Sequence, residues 1–152
     1  MKYGLIGEKL AHSFSPEIHK KLGDYPYELL ELTRDEVGAF MTEKSFSAIN
    51  VTIPYKKEVI PYLDFISDEA KRIGSVNTVV NKNGTLYGYN TDYFGMSRLI
   101  LRVTKGETLS GKVLILGSGG TAVTARVVVK DLGADEIIIV SRTRTDDTVT
   151  YD

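Results

Sequence analysis

No cysteine and no tryptophan occur in this chain of 152 residues. Without thiols there is no disulfide, no cysteine nucleophile, no iron–sulfur cluster and no thiolate-bound zinc, and the composition suits a reducing, cytoplasmic setting. Only two histidines are present, His12 and His19. Neither lies near a run of carboxylates, so no metal site is expected and both read as packing or surface residues. An excess of one charge is missing as well: 19 Lys and Arg against 20 Asp and Glu leave a formal net charge of -1. That removes the global attraction needed for non-specific binding to nucleic acid or to an anionic membrane, so any anion must be held locally. No apolar run exceeds strand length, and the start Met1-Lys2-Tyr3-Gly4-Leu5-Ile6-Gly7 has neither a charged lead nor a long apolar stretch. Neither an export signal nor a membrane span is expected.

What is present is an ordinary globular composition, 42% hydrophobic and 26% charged, with a length that suits one domain or two small ones. Glycines, prolines and helix caps cut the chain into alternating strand-like and helix-like pieces, the pattern of an α/β protein. Strands are expected at 3–7, 27–32 and 47–52. A first helix is expected up to Leu22, with Ser15 as its cap, Pro16 in its first turn and Gly23 as its stop. Thr33 and Glu36 form a capping box for a second helix, to about Glu43. Residues 55–64 read as a short helix interrupted near Pro61, and Ser67 caps another that ends at Gly74. Asn83-Gly84, flanked by apolar runs at 76–81 and 85–89, signals a type I′ hairpin. Asp92 is placed as the cap of a helix over 93–103. The fold expected over 1–104 is therefore an open, mostly parallel sheet with one antiparallel hairpin. The polar segment 104–111 reads as a boundary before a second, incomplete Rossmann-type nucleotide-binding domain over 105–152.

That second domain is announced by Gly117-Ser118-Gly119-Gly120-Thr121-Ala122, set between the apolar strand 112–116 and a helix that ends before Gly133. Backbone N–H groups at such a helix start can approach a pyrophosphate closely, and the aligned peptide dipoles favour its charge. The next strand follows at 136–140. At its end, where an NAD site would carry a carboxylate for the ribose 2′-hydroxyl, stand Ser141-Arg142-Thr143-Arg144. Hydroxyls and guanidiniums there suit a 2′-phosphate, which makes NADP the expected cofactor. The alternative for this segment is a solvated loop.

Three polar segments in the first hundred residues exceed what packing alone asks for. They are Ser13-Phe14-Ser15-Pro16, Asn50-Val51-Thr52-Ile53-Pro54-Tyr55-Lys56, and Asn77-Thr78 together with Asn90-Thr91-Asp92. Each falls at a strand end or helix start, where open α/β sheets supply ligand contacts. With the glycine loop, this order of motifs resembles the shikimate dehydrogenase family from Met1 to about Thr143.

The resemblance implies NADP-dependent, reversible reduction of 3-dehydroshikimate to shikimate in the biosynthesis of chorismate and the aromatic amino acids. It implies that Ser13 and Ser15 bind the substrate carboxylate and that Thr52, Asn77 and Asp92 contact the ring hydroxyls. Lys56 and Asp92 would be the catalytic pair. Cofactor contacts would come from Gly117, Ser118, Gly119, Gly120, Thr121 and Ala122, and from Ser141, Arg142 and Thr143, with Ser141 where the family usually has asparagine. Read singly, Ser15 and Asp92 could be helix caps and Lys56 a surface cation.

The chemistry itself asks for a proton donor beside the alkoxide that hydride transfer to a ketone creates, and a lysine ammonium can serve. Small-molecule substrates, no nucleic acid, no membrane and a monomeric or homodimeric state complete the expectation. The family continues into further strands and closing helices, and only a few polar residues separate Val140 from Val149. The chain therefore reads as the substrate domain with the start of the cofactor domain. The alternatives are a substrate-binding module without turnover, or an enzyme that also takes quinate.

Overall fold

The computed structural model describes residues 2–151, and the chain divides into two compact units, Met1–Asn90 and Thr91–Asp152. The first unit contains β1 (Tyr3–Gly7), α1 (Ser15–Leu22), β2 (Glu28–Glu31), α2 (Arg34–Glu43), β3 (Ala48–Val51), β4 (Phe65–Ile66), α3 (Asp68–Ile73), β5 (Thr78–Lys82) and β6 (Thr85–Tyr89). Its six strands lie in the order β2-β1-β3-β5-β6-β4. The β2–β1, β1–β3 and β6–β4 neighbours are parallel, while β5 runs antiparallel to both β3 and β6. The hairpin forms as its sequence requires: Asn83 and Gly84 both take positive φ, 53° and 87°, the combination that a type I′ turn needs.

One face of this sheet builds the core. Ile6, Ile49, Val51, Val79 and Leu86 meet Val37 and Met41 of α2, Ala70 of α3, and Tyr55, Val59 and Val76 from the connections. Side chains alternate across a strand, so Asn50 and Thr78, which pair in register across β3 and β5, point to the other face. The capping box of α2 is present, with Thr33 N–H and its hydroxyl both donating to Glu36 Oε2, at 2.7 and 2.8 Å. Ser67 Oγ accepts the Ala70 N–H, and α3 ends on Gly74 at φ 67°.

Three local expectations are corrected. Ser15 is the first residue of α1 rather than its cap; Phe14 occupies the cap position without a side-chain bond. Asp92 lies inside the first turn of the helix Thr91–Val103. Residues 55–64 contain no α-helix: turns lead into a 3-10 helix, Ile60–Tyr62. Pro61 has no N–H and its ring opposes an i→i−4 ladder, so the segment tightens instead, with Tyr62 N–H on Val59 O and Leu63 N–H on Ile60 O. The strand β4 follows unannounced, because two residues carry too little periodicity to be read.

The second unit contains α4 (Thr91–Val103), β7 (Lys112–Leu116), α5 (Gly120–Asp131) and β8 (Glu136–Val140). It opens with α4, which packs on α5; the Tyr93 hydroxyl donates to Asp131 Oδ2 at 2.7 Å. β7 and β8 are parallel, in register from Lys112 with Glu136 to Leu116 with Val140. Beyond β8 the chain turns at Thr145 and Thr148. There Val149 forms one parallel bridge with Val140. No helix among the described residues is long and apolar enough to cross a membrane.

Candidate functional site

In the first unit the polar motifs are gathered by strand direction. β1 and β3 are parallel, so the loop bearing Ser13 and the loop bearing Thr52 and Lys56 leave the sheet at the same edge. β5 is antiparallel to β3, which returns its start to that edge: Val51 N–H donates to Asn77 O at 2.9 Å. Thr52 N–H donates to Ile6 O at 3.0 Å, and Val76 N–H donates to Lys56 O at 2.8 Å. Gly7 allows the two loops to approach, since a Cβ there would lie 2.7 Å from both Thr52 Cγ2 and Leu10 Cδ2. Ser13, Ser15, Thr52 and Lys56 are half-buried and Asn77 is buried. Five of the expected substrate-side residues thus share one sheet edge.

The serines are fixed by their own loop. Ser13 N–H donates to Leu10 O at 2.9 Å, and Ser13 Oγ accepts the Ser15 N–H at 3.2 Å. Nearby, burial pushes the Tyr27 phenol up to about 12. Tyr27 donates to Asn50 Oδ1 at 2.7 Å. From Asn50 the chain of bonds continues through Nδ2 to Thr78 Oγ1, and from Thr78 to Asn77 Oδ1, each at 3.2 Å. Tyr27 was not a candidate from sequence, because a lone tyrosine beside an edge strand carries no local signal, and Thr78 stood there only as the neighbour of Asn77. His19, read as a packing residue, stacks its ring on Tyr27.

Asp92, the remaining substrate-side candidate, belongs to the second unit, half-buried in the first turn of α4. Asn90, just before it, is 1% exposed and anchors its amide on Ser75 O at 2.9 Å.

The cofactor candidates also lie in the second unit. The loop between β7 and α5 turns at Gly117, φ 109°, where an L side chain would be strained. Gly119 is the N-cap of α5, and a Cβ on Gly119 or Gly120 would meet nothing within 4 Å. A depression of about 220 Å³ is lined by Leu116, Gly117, Gly119, Gly120, Thr121 and Ala122. Open backbone at the start of a 12-residue helix is the donor set that a pyrophosphate takes. The loop is tied to β8 by Ser118 Oγ and Ser141 Oγ, 2.9 Å apart. Ser141 is buried, while Arg142, Thr143 and Arg144 are exposed beside it. The residues present therefore fit a dinucleotide with a phosphate on its ribose.

The chain is similar to known proteins over nearly its whole length. Residues 5–79 match the family described as the shikimate dehydrogenase substrate binding domain. The chain is 43% identical over 148 residues to the shikimate dehydrogenase (NADP(+)) of Clostridium beijerinckii, an alignment covering 92% of this chain and 54% of that protein. The crystal structure of shikimate dehydrogenase 1 from Peptoclostridium difficile superposes with a TM-score of 0.81 at 36% identity, covering all of this chain and 60% of that one. A shikimate 5-dehydrogenase from Thermus thermophilus, solved in complex with NADP(H) and shikimate, gives 0.77 at 29% identity, over 94% of this chain and 56% of that one. The chain spans about half the length of the curated relatives it matches.

Proposed function

The chain belongs to the shikimate dehydrogenase family, and from that premise we propose that it serves the NADP-dependent, reversible reduction of 3-dehydroshikimate to shikimate, in the cytoplasm and on the route to chorismate and the aromatic amino acids. The observation that carries the reading is the convergence of Ser13, Ser15, Thr52, Lys56 and Asn77 on one edge of the sheet. In this reading residues 1–104 form the substrate-binding catalytic domain and 105–152 the start of the NADP-binding domain.

Each residue has a chemical task. Ser13 and Ser15 hold the substrate carboxylate by neutral hydroxyls, each bond contributing about 0.5–1.5 kcal/mol net, so orientation depends on several contacts together. Thr52, Asn77 and Asp92 take the ring hydroxyls. Lys56 Nζ gives its proton to the oxygen that gains charge as the ketone is reduced and recovers it in the opposite direction. The backbone at 117–122 holds the pyrophosphate of NADP, and Ser141, Arg142 and Thr143 hold its 2′-phosphate. NADP, when bound, supplies or takes the hydride.

A second reading rests on one fact, that the chain covers about half of its relatives' length. It would then bind shikimate without turning it over. Shikimate titrated calorimetrically into the purified 152-residue chain, followed by an assay with shikimate and NADP, decides between them. Turnover supports the enzyme, binding without turnover supports the module, and no binding overturns both. The same assay with quinate reads specificity, and sedimentation separates monomer from homodimer.

A further inference from the structure

Gly7 is the last residue of β1 and is buried. Its φ lies outside the positive range that favours glycine, so backbone conformation alone would admit other residues there. The neighbours do not. A Cβ on Gly7 would lie 2.7 Å from Thr52 Cγ2 and 2.7 Å from Leu10 Cδ2, with Ile53 O at 3.5 Å. The two crowded carbons differ in how they can yield. Leu10 Cδ2 is the far end of a flexible side chain. Thr52 Cγ2 is bonded directly to the carbon that carries the Thr52 hydroxyl, and the Thr52 backbone is pinned on both sides. Its N–H donates to Ile6 O at 3.0 Å, and its carbonyl accepts the Tyr55 N–H at 2.9 Å.

We infer that Gly7 is a positioning residue for the ring hydroxyls of the substrate, acting through Thr52: the missing Cβ leaves room for the Thr52 methyl, and the seated methyl fixes the side on which the Thr52 hydroxyl is presented. This rests on the functional reading in which Thr52 takes a ring hydroxyl. A threonine side chain turns about χ1 alone, and its methyl and hydroxyl oxygen stand about 120° apart around that bond. With the backbone held by Ile6 and Tyr55, the way to move the methyl from an added Cβ is to rotate χ1. That rotation carries the hydroxyl oxygen through the same angle and out of its place. Thr52→Ser keeps the hydroxyl and removes the methyl, so it removes the conflict.

The test is a double-mutant cycle on the full chain, read as the dissociation constant for shikimate by calorimetry, with the fitted stoichiometry reporting the folded fraction. Gly7→Ala is expected to weaken binding about 3- to 10-fold, the range of one net hydrogen bond. Thr52→Ser supplies its own reference value. Gly7→Ala added to Thr52→Ser is expected to weaken binding no more than about twofold further, because the methyl that met the new Cβ is gone. A glycine needed only for packing, against Leu10 for example, would give the same loss in both backgrounds, and that outcome overturns the inference. So does a Gly7→Ala chain that binds as the wild type does. Where Gly7→Ala alone does not fold, the double variant decides: folded and within about twofold of Thr52→Ser it supports the inference, and unfolded or weaker it overturns it. Wild-type chain that does not bind shikimate, or a Thr52→Val chain without loss, overturns the functional reading of Thr52 and this inference with it, whereas the preceding results overturn the inference alone.

Discussion

In the proposed reaction Lys56 is the residue on which the chemistry turns. It is half-buried, and its backbone carbonyl is pinned by Val76 N–H beside Asn77, so its side chain leaves the chain from a fixed point. Lys56→Ala is expected to lower the rate of shikimate oxidation with NADP by roughly 10²- to 10⁴-fold, the span for losing a general acid or base. Steady-state kinetics checks it, and a loss below tenfold contradicts the role. At this scale the motifs propose the serine pair, Thr52, Lys56 and Asn77, and strand direction brings their segments to one edge of the sheet. No motif proposes Tyr27, because its hydrogen-bond partner Asn50 lies 23 positions away and only folding brings the two together.

At the scale of elements, what could be read was what is local. The capping box at Thr33 and Glu36, the Ser67 cap with its Gly74 stop, and the Asn83-Gly84 turn are each decided within a few residues, and all form. The segment 55–64 was misread because tertiary bonds govern it. Asp64 N–H donates to Leu86 O, while Asp64 Oδ2 accepts Leu86 N–H at 2.8 Å and faces Lys44 Nζ at 3.5 Å. Those contacts draw the chain into β4 instead of a helix.

The Leu86 N–H, and then Lys44, hold the Asp64 carboxyl below its ordinary range. A carboxylate depressed in the folded state stabilises that state above its unfolded value, about pH 4, and the contribution fades as pH falls through the lowered folded value. Asp64→Asn is therefore expected to be less stable than wild type at pH 7, with the gap closing below about pH 4. Urea unfolding at a series of pH values reads this, and a gap independent of pH would refute it. Close approach gives a second prediction. A Cβ on Gly88 of β6 would collide with Leu63 and lie 3.1 Å from Val76 Cγ2, so Gly88→Ala should cost about 1–3 kcal/mol by overpacking. Denaturant midpoints measure it; an unchanged midpoint would show that Leu63 yields freely.

For the whole molecule, the described core from Ile6 to Leu86 lies within the first compact unit. A polypeptide of residues 1–90 is therefore expected to unfold in one cooperative transition, with a urea dependence of about 1–3 kcal/mol per molar. Gradual, non-cooperative loss of structure would show that the unit depends on residues beyond 90. By itself the sequence determined the alternation of strands and helices, the caps and turns, the glycine loop with its basic partner segment, and the motifs that mark the family, since each is written in neighbouring residues. The tertiary structure decided where the first compact unit ends, because α4 packs on α5. It also decided that the scattered polar motifs meet, because only the reversed direction of β5 carries Asn77 back to the edge where β1 and β3 deliver the serines and Lys56.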